Sequence, residues 1–215
     1  MKRASSHRSR ARFIARVLPG AKTGPFPGFI PPCLAATRKK PPAGDGWLHE
    51  IDAGGLRIQA HFHDGRATLL TAEGHDCTSH FLPNAKALAV LPANNILLDG
   101  EMIVMNKNGV ADRRALQDDL AAGRNSRLVL YAFDLLYLDG FNIQTAPLID
   151  RKRVLQEVLV SPPASISYGE HFVGDGAKIY AHACAAGLAG IVSKRADAPY
   201  RCGRSKDWVK VAARI

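Results

Sequence analysis

The chain has 215 residues, 47% of them hydrophobic, and 29 lysines and arginines against 19 acids give it a formal charge of +10. That length and apolar content allow one buried core without disulfide or metal staples. No apolar run approaches the roughly 20 residues that span a bilayer, and the start MKRASSHRSRARFIARVLPG lacks the apolar stretch of a secretory signal, so a cytoplasmic protein with no membrane association is expected. Cys33, Cys77, Cys184 and Cys202 are scattered, with no C-x-x-C pair and no histidine at finger spacing; free thiols and no metal site are expected from the spacing.

Residues 1–28 carry seven cations (Lys2, Arg3, Arg8, Arg10, Arg12, Arg16 and Lys22) and no acid, which leaves only about +3 for the rest. A basic flexible arm is expected, able to meet DNA phosphates weakly and non-specifically; the same make-up suits a transit peptide or a merely solvated terminus. The proline- and glycine-rich lead-in PGAKTGPFPGFIPPCLAATRKKPPAGDG forbids regular structure by its composition, so the folded domain should begin near Trp47. LRIQAHFHDGRATLLT reads as a hairpin about Asp64-Gly65, with Leu56, Ile58, Ala60 and Phe62 on one face. NNILLDGEMIVMNKNGVA and RLVLYAFDLLYLDGFNI read as further strands, apolar enough for burial on both faces. A helix is predicted over Asp150 to Val160, capped by Asp150, with Val154, Leu155, Val158 and Leu159 along one stripe; GAKIYAHACAAGL reads likewise before Gly187. LAGIVSKR and DWVKVA read as two last strands, which makes the class α+β.

Six segments now stand in order: HEIDAGGLR, LLTAEGHD, LLDGE, YAFDLLYLDG, AGIVSKR and YRCGRSKDWVKV. Together, from about Phe29 onward, they resemble the nucleotidyltransferase (adenylation) domain of ATP-dependent DNA ligases, most of all the ligase domain of bacterial end-joining ligases. Capping enzymes share the motif order, but YAFDLLYLDG and the GDGWLHE entry are ligase-like. The resemblance implies two antiparallel sheets flanked by helices, with ATP in the groove between them and magnesium at its phosphates. It also implies a lysine, in K-x-D-G-x-R, that attacks the α-phosphate to give lysyl-AMP before AMP passes to a DNA 5′-phosphate.

Aligning Glu50 and Arg57 on that motif puts Asp52 at the lysine position, and no lysine lies between Lys40 and Lys86. The family's other phosphate and metal groups are replaced by Gly54, Ala72, Ala189 and Ala212. By the same resemblance Glu50 would accept from the adenine amino group, Arg57 and Glu101 would contact the ribose, Phe133 would stack on the base, and Lys194 and Lys210 would contact phosphate. The residues themselves allow blander roles: Phe133 would be core in any buried strand, Glu101 could pair with Arg57, and Arg201, Arg204 and Lys206 could touch DNA or form a solvated turn.

An aspartate is worse than a neutral loss, because about 4 Å from a phosphate charge it repels by ~1 kcal/mol in water and ~4 at an effective dielectric of 20. The chain also stops just past the last motif, so the OB-fold that closes such ligases on DNA is not expected in it and neither is unaided sealing; whether a partner chain supplies an OB-fold is left open by the sequence. The sequence therefore predicts a catalytically impaired or inactive ligase homologue, with no catalytic residue and no metal ligand of its own. A nucleotide- or DNA-binding module and a functionless remnant are the alternatives.

Overall fold

The computed structural model describes residues 2–213, with side chains from Arg10 onward, so the side chains of Lys2, Arg3 and Arg8 lie outside the described set. The chain starts with helix α1 (Lys2–Val17) and strands β1 (Lys22–Thr23), β2 (Cys33–Thr37) and β3 (Trp47–Ile51), then the hairpin β4 (Leu56–His63) and β5 (Arg66–Thr71). Helix α2 (Leu82–Leu88), β6 (Ile96–Val104), α3 (Arg113–Ala121), β7 (Leu128–Leu138) and β8 (Phe141–Asn142) come next. After them run α4 (Leu148–Val158), β9 (Ile166–Tyr168), β10 (Phe172–Val173), α5 (Gly176–Ala185), β11 (Gly190–Arg195) and β12 (Gly203–Ala212).

These strands form two sheets, as the α+β reading expects. One has the order β1-β8-β7-β6-β4-β5 with β9 beside β7; the other has the order β10-β3-β11-β12-β2. Two pairings depart from the antiparallel expectation: β9 runs parallel to β7, and β2 runs parallel to β12. The larger sheet is buried on both faces. Leu128, Leu130 and Ala132 point into a core shared with the helices, whereas Phe133, Leu136 and Tyr137 point towards Trp208 of the smaller sheet. Alternation along the strand puts Phe133 on the same side as Tyr131, towards the space between the sheets. The pairs Gly100–Ala132 and Asp99–Asp134 leave Phe133 as an extra residue in β7, and this bulge shifts the alternation so that Leu135 returns to the helix-side core.

The hairpin forms about Asp64 and Gly65, both at positive φ, and Ile58 and Ala60 are fully buried on its inner face, while Leu56 stays 38% exposed at the strand end. The predicted helix over 150–160 starts earlier, behind Pro147, with Asp150 in its first turn rather than at its cap.

Two expectations are corrected. The lead-in is not structureless: β2 joins the smaller sheet, Gln59 and the Ile30 backbone exchange hydrogen bonds of 2.9 and 2.8 Å, and Phe26 stacks on His63. These contacts cover Gln59 and His61, which explains two buried polar side chains on the outer face of β4. The basic arm carries regular structure as well. It is helical over Lys2–Val17, lies against α4, and buries Ala11, Ala15 and Leu18 at spacings of four and three. Small alanines let two helices approach closely, and their weak hydropathy is masked in the sequence by the surrounding cations. Arg10 adds an ion pair to Glu157 at 3.1 Å.

Replacing Ala15 with Asp puts an unpaired carboxylate into this dry contact and is expected to lower stability by about 2–3 kcal/mol. Urea unfolding measures it; a midpoint equal to that of the unaltered protein would mean that α1 does not dock in solution.

Candidate functional site

Strand β3 of the smaller sheet runs into β4 of the larger one through residues 52–55, so this loop bridges the two sheets. Gly55 is required there, because a Cβ would lie 2.5 Å from the Met102 carbonyl oxygen. Asp52 is held at its backbone by a 3.0 Å hydrogen bond from its N–H to the Gly190 carbonyl. Gly190 is equally constrained, at φ +137° with Val211 O only 2.1 Å from where a Cβ would stand. The Asp52 side chain is 7% exposed, and its Oδ2 lies 2.7 Å from the Nζ of Lys210 on β12. Its Oδ1 accepts from Gly54 N–H at 3.2 Å. A carboxylate therefore occupies the expected nucleophile position, and it has taken Lys210 as its counter-ion.

Two residues back, Glu50 is 3% exposed and binds two ammonium groups, Lys152 at 2.7 Å through Oε1 and Lys194 at 2.5 Å through Oε2. Lys152 also donates to the Gly169 carbonyl at 2.8 Å and the Phe133 carbonyl at 3.3 Å, so its three protons all have acceptors. Burial opposes the charge on Glu50, but the two ammonium groups outweigh it and hold the carboxyl below its ordinary range. Burial pushes Lys194 down; Glu50 pushes back and the Lys152 charge adds to the depression. One carboxylate serves two lysines, and Lys194 bears the mismatch. Sequence reading missed Lys152. Its signal was present, since positions 151 and 152 fall three or four residues before Leu155 on the apolar stripe of α4.

Arg57 pairs in bidentate fashion with Asp99, both contacts 2.6 Å, rather than with Glu101. Arg57 and Glu101 are direct cross-strand partners, yet the diagonal neighbour Asp99 wins, and Tyr200 OH buttresses it with a 2.7 Å hydrogen bond. Glu101 instead accepts from Gly55 N–H at 3.0 Å, and burial raises its pKa. The Phe133 ring carries Lys194 Nζ at 3.8 Å and Arg57 Cζ at 4.7 Å from its centroid, with Trp208 edge-on at 5.9 Å.

Glu50, Arg57, Glu101, Phe133, Lys194 and Lys210 all face one cavity of about 230 Å³, together with Asp52. A groove of about 940 Å³ adjoins it, lined by Gly54, Ala189 and Ala212 among others. Asp52 and Lys210 line both, so the ion pair stands at their junction. Ala72 follows β5 and lines neither of these two cavities. Arg201, Arg204 and Lys206 are exposed outside both, with Arg201 paired to Asp207 at 3.0 Å.

The donor set does not fit a divalent metal. Among the described residues no three acids, histidines or cysteines cluster suitably, and the groove's carboxylates already hold Lys210, two lysines, Arg57 or a backbone N–H. The four cysteines are free thiols, and no helix among the described residues is long and apolar enough to cross a membrane.

Lys152→Met removes one ammonium from a fully buried pair and leaves two carbonyls without a donor, so a loss of about 3 kcal/mol at pH 7 is expected. Because the folded state depresses the Glu50 pKa, its stabilisation is present above the ordinary carboxylate value and fades as pH falls through the lower folded one. The variant should therefore lose less stability between pH 5 and pH 3, a range fixed by that ordinary value of ~4.3. Parallel urea titrations across this range check it, and unchanged acid sensitivity would contradict the assignment.

The family described as "ATP dependent DNA ligase domain" matches residues 34–212. A multifunctional non-homologous end joining protein LigD of Pseudomonas aeruginosa is 34% identical over 206 residues, covering 95% of this chain and 24% of that protein. The ligase domain of LigD from Mycobacterium tuberculosis has 33% identity and a TM-score of 0.72, covering 83% of this chain and 59% of that one. A mycobacterial DNA ligase D complexed with ATP has 31% identity and a TM-score of 0.71, covering 84% of this chain and 59% of that one. The chain thus spans about a quarter of the curated relative and somewhat over half of the ligase-domain structures. On the match over most of its length, the chain belongs to the ATP-dependent DNA ligase domain family.

Proposed function

We propose that this chain is a ligase-type domain that keeps the nucleoside half of the family's site and does not form a covalent adenylate. The observation that carries this reading is the 2.7 Å contact between Asp52 and Lys210. Adenylation needs an amine free to attack phosphorus. At position 52 there is a carboxylate, and the nearest amine is bound to it as an ammonium. Attack by the carboxylate would give an acyl phosphate anhydride, a far more labile store than a phosphoramidate.

The residues fit the nucleoside part of ATP better than its triphosphate. Phe133, Trp208, Arg57 and Glu50 gather around the small cavity, which supports base and ribose recognition. Each cation there already has a carboxylate: Lys152 and Lys194 share Glu50, Arg57 has Asp99, and Lys210 has Asp52. A triphosphate would have to break these pairs, and no metal-binding cluster among the described residues offsets its charge.

Incubation with α-labelled ATP and magnesium, followed by denaturation at alkaline pH where a phosphoramidate survives, is expected to leave no label on the protein. Asp52→Lys alone is expected to stay unlabelled as well, since it sets a second ammonium beside Lys210 and restores nothing at 54, 72, 189 or 212. Robust labelling of either form contradicts the proposal.

DNA binding is proposed as weak and electrostatic, centred on α1, where Arg12 and Arg16 are exposed. Log affinity should fall by about 0.9 per phosphate contact as log salt rises. Arg12→Ala with Arg16→Ala should flatten that slope, Arg201→Ala with Arg204→Ala should not, and nicked and intact duplex should bind alike. Fluorescence anisotropy at two salt concentrations decides. A preference for nicked DNA, or an unchanged slope in the α1 variant, would locate the DNA surface elsewhere.

A further inference from the structure

The small cavity and the larger groove share Ile51, Asp52, Ala53, Tyr131 and Lys210 as a common wall. A ligand seated against Phe133 and Trp208 that is longer than a nucleoside would pass this wall and enter the groove. What it meets there is mostly hydrocarbon: Ile103, Val110, Leu188, Ala189 and Ala212. The charged side chains of the groove are Asp52, Lys210 and Arg113. Asp52 and Lys210 cancel each other at 2.7 Å, and Arg113 is exposed to water, where a cation contributes little.

The balance for a phosphate at this junction is unfavourable. It must shed hydration, and it finds repulsion from Asp52 offsetting attraction to Lys210. An apolar group in the same place gains roughly 25 cal/mol for each Å² it removes from water. The groove, at about 940 Å³, lies near the upper end of the range for small-molecule pockets, whereas the cavity behind it, at about 230 Å³, holds only a compact ring system. The two spaces differ in character as well as in size, polar with aromatic walls on one side of the ion pair and aliphatic on the other.

We infer that the site accepts a purine nucleoside carrying an uncharged, apolar 5′ extension and discriminates against nucleoside 5′-phosphates. The inference rests on the nucleoside-binding reading above. It adds the class of ligand, and it makes the Asp52–Lys210 pair the selectivity element.

Four probes test it by titration calorimetry on the full chain: adenosine, 5′-deoxy-5′-methylthioadenosine, AMP and ATP. The methylthio compound is expected to bind more tightly than adenosine, and AMP about tenfold or more weakly than adenosine, the uncompensated desolvation of its phosphate being enough for that factor. Asp52→Asn frees Lys210 and should shift the AMP-to-methylthio affinity ratio at least about tenfold towards AMP. Leu188→Asp, in the groove alone, should erase the advantage of the methylthio compound over adenosine. AMP or ATP binding as tightly as the methylthio compound, or an unchanged ratio in Asp52→Asn, overturns this inference and leaves nucleoside binding standing. Failure of all four probes to bind overturns both.

Discussion

The ion pair between Asp52 and Lys210 governs what this groove can do. It is set by backbone constraints on two strands. The Asp52 N–H is tied to Gly190, where no side chain fits, and the loop beyond it is pressed against Met102 at a residue that must be glycine. Lys210 is level with Glu50 across β11, since both pair with Val192. An aspartate at position 52 is therefore carried to within reach of Lys210 by the sheet itself. The cation beside position 52 belongs to another strand, and its charge is already paired.

Behind this pair stands a buried electrostatic framework that resembles structure more than catalysis. Glu50 with Lys152 and Lys194, Arg57 with Asp99 and Tyr200, and Arg151 with Asp134 cross-link α4, both sheets and the segment before β12. Arg151 is fully buried and also caps the Ala146 and Ala198 carbonyls. Such pairs add little net stability compared with apolar residues of the same volume, but removing one partner strands the other in a dry interior. The framework therefore resists piecemeal loss. The side chains around the small cavity are thus locked to one another, whereas Gly54, Ala189 and Ala212 in the larger groove take no part in such pairs.

The sequence made much of this legible. The hairpin at Asp64-Gly65, the double burial of β7 and the helical stripe of α4 follow from turn chemistry and periodicity, and the ordered motifs named the residues that line the small cavity. The misses have definite causes. Lys152 was passed over because the stripe of α4 was drawn through its apolar residues alone. The pairing of Glu101 with Arg57, which the residues allowed as a blander role, does not form, because Tyr200, 101 residues beyond Asp99, makes the diagonal neighbour the better partner. Helix α1 was hidden because two alanines carry its contact, and β2 because prolines dominate the segment in which it lies. In each case tertiary contact decided what local composition left open.

The central claim is that Asp52 holds Lys210 away from any phosphate, and a crystal structure of the protein grown with millimolar ATP and magnesium tests it most directly. Lys210 Nζ is expected still within salt-bridge distance of Asp52, with no bond from position 52 or 210 to phosphorus and no ordered triphosphate in the apolar groove. Lys210 turned onto an ordered α-phosphate, with Asp52 released or bound to metal, would contradict it.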